Sequence, residues 1–492
     1  MGKSITERNM RMALAVQLCG VVHGFLLPKI ILTCFGSEVN GMVSSVAQYL
    51  SGIQILEGGL GAVVMASLYK PLAERNMDKV SAIVRAAEQF FRKLALTYLV
   101  YALIVAIVFP RLVQTQFSPG YITALVLVIA LGTFVQYFFA TPYRLLIQAD
   151  KHGHVVSFAY ILMLLCSTAL ALVAALTRQS VHVIRLIGSV CYGICPVVFC
   201  LYVRRHYPLK KDVQPDREAL KQRWDAFGQN LAYFINNNTD LVLLSLFATL
   251  PEISVYSVYA LIVVALRNLV KSLSEAAAPS VGRELVTSSS LRLNRIFDWY
   301  ELGMNALSTV VFSCCMVLIV PFVKIYTAGL WDADYNQPML ACLLTLANWV
   351  YCCRESLRSM IHIAGHIRQT SWAAYMEAGI NVVLSAFLVG KFGLVGVGIG
   401  TAVVMVYRMI CMAWYLKKNI LYRPLRKWAK GLAVFACAGA VSVILARRIP
   451  ILIYNYASWF SFAVVTGVIS AAVVAAFVLL FYWKQVRQLF LK

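Results

Sequence analysis

Residues 236–247 read NNNTDLVLLSLF. Three amides, a threonine and an acid lead into a leucine run, so the reading depends on whether this stretch lies in water or in lipid. The flanking sequence from Phe227 to Thr249 has the length of a membrane crossing, about 20 apolar residues. Asp240 then lies roughly 20 Å along the helix axis, in mid-membrane. Gln229, Asn230, Tyr233, Asn236, Asn237 and Asp240 recur at helical spacing and share one face, while Leu241, Val242, Leu244 and Leu246 dominate elsewhere. A charge at that depth costs at least roughly 2.5–3.5 kcal/mol, so the stripe must meet a partner or water. It either hydrogen-bonds neighbouring helices or lines an aqueous cavity.

The whole chain agrees with the lipid reading. Of 492 residues, 61% are hydrophobic and only 13% charged, far from the balance of soluble domains. The start, MGKSITERNMRM, is polar and basic, with Ser4 and Glu7 spaced as a capping box. The first hydrophobic segment is therefore expected to remain as an uncleaved spanning helix. The 13 cysteines are scattered through apolar segments without metal-ligand spacing and read as packing residues. The net charge of +23 fits basic loops against anionic headgroups, and no soluble stretch is large enough to bind nucleic acid.

At about 20 residues per crossing, fourteen spans are predicted, at roughly 10–35, 40–69, 87–110, 121–147, 155–177, 182–203, 226–249, 252–280, 296–325, 337–362, 370–390, 393–416, 429–446 and 457–483. Alternate loops hold about 35 of the 44 Lys and Arg, against about seven on the other side, with Lys29 and Arg408 inside spans. Both termini are therefore expected in the cytoplasm. The opposite loops, such as GSEVNG at 36–41, are short. The longest hydrophilic stretch, RRHYPLKKDVQPDREALKQRW at 204–224, divides two six-helix halves.

An internal repeat supports that division. FGSEVNGMVSSVAQYL (35–50) parallels TLPEISVYSVYALIVV (249–264), and KHGHVVS (151–157) parallels IAGHIRQ (363–369), at offsets of about 210 to 214. The expected fold is an all-α polytopic membrane protein with two pseudo-symmetric six-helix lobes. These are residues 1–206 and 225–418, joined by a linker at 207–224 and followed by two additional helices within 419–492.

The repeat sets Lys29 opposite Asp240 at equivalent positions. Glu57 lies in span 2, and Arg267, Lys271 and Glu275 in its counterpart, span 8. Arg144 ends span 4, Arg354 and Arg358 end span 10, and Glu377 stands in span 11. The last three arginines read as interhelical ion pairs or interface cations. Lys29, Glu57, Asp240 and Arg267 read as cavity residues. Cations meet phosphate while Asn, Gln and Tyr meet sugar hydroxyls, so such a cavity suits an anionic, hydroxyl-rich head whose apolar tail stays in lipid. His362 and His366 lack a third ligand, and no metal is expected. WDADY at 331–335 is a short turn rather than a glycosyltransferase site, and no Walker motif or catalytic triad is present.

The span pattern, QYLSGIQILEGGLGAVVMASLYKPLAERN (48–76) and NNNTDLVLLSLFATLPEISVYSVY (236–259) resemble the polysaccharide transporter branch of the multidrug/oligosaccharidyl-lipid/polysaccharide (MOP) exporter superfamily. That resemblance implies a flippase in the bacterial cytoplasmic (inner) membrane. By alternating access it would carry undecaprenyl-pyrophosphate-linked oligosaccharide to the outer leaflet for surface polysaccharide synthesis. Lys29, Arg267, Lys271, Asn236, Asn237 and Tyr233 would bind the substrate. Glu57, Asp240 and Glu275 would tune the cavity or couple transport, and Arg144, Arg354 and Arg358 would form a cytoplasmic gate. No cofactor is implied. Coupling to H+, Na+ or the membrane potential is expected, with the lipid bilayer, a polysaccharide polymerase and glycosyltransferases as partners. The alternatives are a multidrug/cation antiporter of the same fold, disfavoured by Lys29 and no acid in span 1, and an integral-membrane glycosyltransferase using Asp332 or Asp334. Span 1 also lacks the arginine cluster of lipid II flippases.

Overall fold

A computed structural model describes residues 2–490 except 58, 211, 217, 219–222, 288–289, 422 and 450–452. Side chains at 2–4, 6, 223–230, 232–233, 236–237, 278–280, 283–287, 290–291, 484 and 488–490 also fall outside the description. Among the described residues every regular element is a helix. Packing divides the chain into two compact units, Met1–Ser254 and Val255–Lys492.

The first unit contains α1 (Gly2–Leu50), α2 (Gln54–Glu57), α3 (Leu60–Ala73), α4 (Met77–Leu112), α5 (Pro119–Val135), α6 (Thr141–Ala149), α7 (Gly153–Leu176), α8 (Val181–Cys191), α9 (Ile194–His206) and α10 (Arg223–Phe247). At 1.5 Å per residue, the 49 residues of α1 would make a rod more than twice the roughly 30 Å hydrocarbon thickness. They do not, because Gly36 sits at φ 82°, ψ 179°, a conformation essentially confined to glycine, and two helical segments meet there. The expected outer loop GSEVNG is thus reduced to a turn at one glycine, and its remaining residues are already helical. A Cβ on Gly41 would collide with the Leu250 carbonyl. Beside it, buried Asn40 donates through Nδ2 to Ser254 Oγ at 2.8 Å, joining positions that the internal repeat makes equivalent.

Local caps fix the next elements. The Asn76 side chain accepts from the Lys79 backbone N–H, and Ser118 caps α5 with Pro119 in its first turn. Between α5 and α6, residues Gln136–Ala140 form a π-helical turn. Helix α1 packs along α7, α4 along α5, and α5 and α7 along α8. Phe91, Tyr98 and Phe109 of α4 are fully buried, whereas Leu96, Leu99, Val100, Leu103, Ile104 and Ile107 of the same helix are exposed. Such a belt is stable facing lipid rather than water.

The second unit contains α11 (Leu250–Thr287, from Val255 onward), α12 (Ser290–Tyr326), α13 (Pro338–Cys353), α14 (Glu355–Ile363), α15 (Ser371–Asn419), α16 (Leu425–Arg447) and α17 (Tyr456–Phe490). The 49-residue α15 is again two helices, meeting at Gly393 with φ 54°. Gly396 abuts the Leu388 carbonyl and Gly400 abuts Ser385, so the absence of side chains lets the two segments pack closely. Helices α16 and α17 pack on α12 through Leu302, Phe435, Ala438 and Val474.

Ten described segments are long and apolar enough to cross a membrane. Two of these, Glu7–Glu57 and Arg368–Asn419, exceed 50 residues and are divided at the glycines just described. Leu60–Ala73 and Asn238–Phe247 are shorter apolar helices, and α13 with α14 covers the expected tenth span. The fourteen predicted spans therefore coincide with single helices, parts of a kinked helix or runs of consecutive helices, and the chain is a multi-pass, all-α membrane protein.

Candidate functional site

In the first unit, the π-helical turn is the feature that brings polar groups inward. An extra residue in the turn rotates Gln136 and Tyr137 relative to regular α5. Tyr137 donates its hydroxyl to Glu57 Oε2 at 2.7 Å. Gln136 donates to Tyr160 Oη at 3.1 Å, and Arg144 Nη1 donates to the same oxygen at 3.2 Å. Glu57 and Arg144, two spans apart in sequence, are thereby organised around two neighbouring tyrosines.

Lys29 is half-buried on α1, immediately after Pro28. Asp240 is half-buried on α10. Two residues earlier, Asn238 receives a hydrogen bond from Gln48 and donates to the Phe234 carbonyl at 2.7 Å. Tyr49 Oη and Ser245 Oγ are 2.8 Å apart. This part of the α10 polar face therefore binds α1 by interhelical hydrogen bonds. The side chains of Tyr233, Asn236 and Asn237 lie outside the described residues.

The second unit gathers charges from four predicted spans. Arg267 of α11 and Arg354 each lie over the Tyr351 ring, at 4.8 and 4.6 Å from its centroid. Arg354 Nη1 donates to Glu377 Oε1 at 2.7 Å, and Arg408 Nε is 3.4 Å from Glu377 Oε2. Arg408 also donates to the Thr370 carbonyl at 3.2 Å. Glu377, Arg354 and Arg408 are all buried, so one carboxylate neutralises part of a two-guanidinium cluster. Arg358 pairs with buried Glu355, and Lys271 pairs with the more exposed Glu275 at 3.7 Å.

His366 Nδ1 is 3.0 Å from Tyr415 Oη. Asp334 accepts from the Asn336 backbone N–H at 2.9 Å, stabilising the turn before α13. Sequence reasoning missed Tyr351, whose aromatic type alone says nothing about cations. It also missed Arg185, which one turn inside α8 reads as an interface charge. A cation within the apolar run VHVIRLIGSV was the available signal.

No family model matches the chain, and no curated protein matches its sequence. Solved structures do. A lipid II flippase MurJ in an inward closed conformation superposes with TM-score 0.73 at 13% identity, covering 97% of this chain and 100% of that one. An inward-facing multidrug resistance MATE family transporter of the MOP superfamily gives 0.57 at 15% identity, covering 81% and 96%. A MOP superfamily transporter from Pyrococcus furiosus, described by the reverse polarity of its binding pocket, gives 0.56 at 14% identity, covering 85% and 97%. The shared property is the MOP-type fold.

Proposed function

We propose, from a MOP-type fold carrying cations within its spans, that this protein is a flippase for undecaprenyl-pyrophosphate-linked oligosaccharide, serving surface polysaccharide synthesis. The observation that carries the proposal is the arginine cluster of the second unit. Two guanidiniums share Tyr351, and two share one carboxylate. Half-buried Arg267, held over Tyr351 beside the buried trio and without a carboxylate of its own among the described residues, is the guanidinium suited to an anionic headgroup. An apolar groove of about 380 Å³ in the same unit, lined by Phe312, Met316, Leu346, Trp349, Phe435 and Val443, suits a prenyl chain. The end-to-end likeness to a lipid II flippase is in keeping with a lipid-linked cargo.

In this reading the lobes are residues 1–206 and 225–418, rocking about a mid-membrane site in the bacterial inner membrane with both termini cytoplasmic. Lys29, Arg267 and Lys271 bind the pyrophosphate, Tyr233, Asn236 and Asn237 bind sugar, and Arg144, Arg354 and Arg358 gate the cytoplasmic side. Glu57, Asp240 and Glu275 tune the site or couple it to H+, Na+ or the membrane potential, where one charge is worth about 2.3 kcal/mol per 100 mV. Glycosyltransferases act before it and a polymerase after it.

A second reading, multidrug/cation antiport, is favoured by the Glu57–Tyr137 pair inside the first unit and by the MATE neighbours. Proteoliposomes separate the two. With the flippase, translocation of a polyprenyl-pyrophosphate oligosaccharide exceeds that of empty vesicles and falls in Arg267→Ala. Efflux of a cationic dye without oligosaccharide translocation overturns it.

A further inference from the structure

Inside the first unit, α1, α2, α5, the π-helical turn, α7 and α8 line a cavity of about 380 Å³. Arg185, His23, Gln54, Thr133, Gln136 and Ser189 line it, and among the described residues no Asp or Glu does. Arg185 takes part in no ion pair or hydrogen bond among the described residues, although it lies within an apolar helix. Its position differs from that of Arg144, which is held by Tyr160 and lies near Glu57. His23 is engaged by Thr168, at 2.7 Å from Nδ1. Tyr137, on the cavity wall, donates its hydroxyl hydrogen bond to Glu57, which lies outside the lining. The chamber therefore holds one fixed positive charge with no facing carboxylate.

A cation placed within a span without a counter-charge marks a functional position. The volume lies at the lower end of ligand pockets, about 300–1,000 Å³, and exceeds the need of a bare ion. A guanidinium presents a planar fork suited to a carboxylate or a phosphodiester, while amide and hydroxyl side chains both donate to and accept from sugar hydroxyls. We propose that this chamber binds a sugar ring bearing a single anionic group, with Arg185 holding the anion. The ring is either a free acidic sugar or the sugar of a lipid-linked molecule. The inference stands apart from the flippase reading, because it concerns binding within one unit rather than transport.

The test uses the full-length protein in detergent, titrated with glucuronate or glucose at matched ionic strength and followed by calorimetry and thermal unfolding. Glucuronate should bind saturably and at least about tenfold more tightly than glucose, equivalent to about 1.4 kcal/mol. Arg185→Gln should abolish that preference, and Arg185→Lys should retain part of it. Thr133→Leu keeps the cation but fills the chamber, and should also lose binding. Vesicles of phosphatidylcholine containing glucuronosyl or glucosyl diacylglycerol distinguish the source. Arg185-dependent preference for the glucuronosyl lipid, with no response to free glucuronate, assigns a lipid-linked ligand. Equal binding of glucose and glucuronate by the natural protein, no binding in either format, or full glucuronate binding by Arg185→Gln overturns the proposal. Should Arg185→Gln not purify as a folded protein, the comparison of the two sugars and the Thr133→Leu result decide.

Discussion

Replacing Glu377 by glutamine removes the one carboxylate that the buried side chains of Arg354 and Arg408 share, at 2.7 and 3.4 Å. All three residues are only 5% exposed, so water cannot take over the lost interaction. Breaking a buried pair by removing one partner costs about 3–5 kcal/mol. Glutamine keeps an acceptor for Arg354, and Arg354 keeps its place over Tyr351, so a value of about 3 kcal/mol is expected. Removing Arg408 has a different consequence. It leaves a one-to-one pair of Arg354 with Glu377 and loses a hydrogen bond to the Thr370 carbonyl, for about 1–1.5 kcal/mol. Unfolding by SDS in mixed micelles, followed by tryptophan fluorescence, should therefore show Glu377→Gln shifting the equilibrium about a hundredfold and Arg408→Met about tenfold. The triple variant Arg354→Met, Glu377→Leu, Arg408→Met should recover most of the stability, because none of the three positions then buries a charge and the Arg358–Glu355 pair is left intact. Equal losses for the two single variants, or Glu377→Gln close to the natural protein, would refute the reasoning.

Gly36→Ala forces a side chain into a conformation reserved for glycine and should cost about 1–3 kcal/mol. Gly120→Ala, whose Cβ meets open space, should be neutral or better, and fluorescence-detected size exclusion compares their folded yields. Arg423 joins the connection before α16 to Asp298 and Glu301 of α12, both within 3.0 Å. Arg423→Ala should accordingly speed protease cleavage between residues 419 and 425 while leaving cleavage elsewhere unchanged. Tyr137→Phe deletes the hydroxyl bound to Glu57, should cost about 1.5–3 kcal/mol, and should appear as a lower denaturation midpoint.

The spans were legible because lipid imposes a length and an apolar composition that the sequence displays directly. The turns at Gly36 and Gly393 were legible only as short loops, since hydropathy cannot distinguish a six-residue loop from one positive-φ glycine between helices. Charges inside spans drew attention to Glu57, Arg144, Arg354 and Glu377, but not to their partners. Pairing is a long-range fact: Tyr137 reaches Glu57 across 80 residues, and Arg354 reaches Glu377 across 23. The π-helical turn was not legible, because QYFFA has no composition that sets it apart from the α-helical residues on either side. Arg185 is legible in the sequence only as one charge in an apolar run, and the cavity around it is what separates it from an interface cation.

Depleting this protein in its own cells and measuring lipid-linked oligosaccharide on the cytoplasmic leaflet, with Lys29→Ala, Arg267→Ala and Asp240→Asn returned at matched expression, tests lipid-linked oligosaccharide flipping. Intermediates should accumulate on depletion, the natural protein should clear them, and the Lys29 and Arg267 variants should fail to. Normal levels of intermediate in depleted cells that have become sensitive to cationic drugs would contradict flipping.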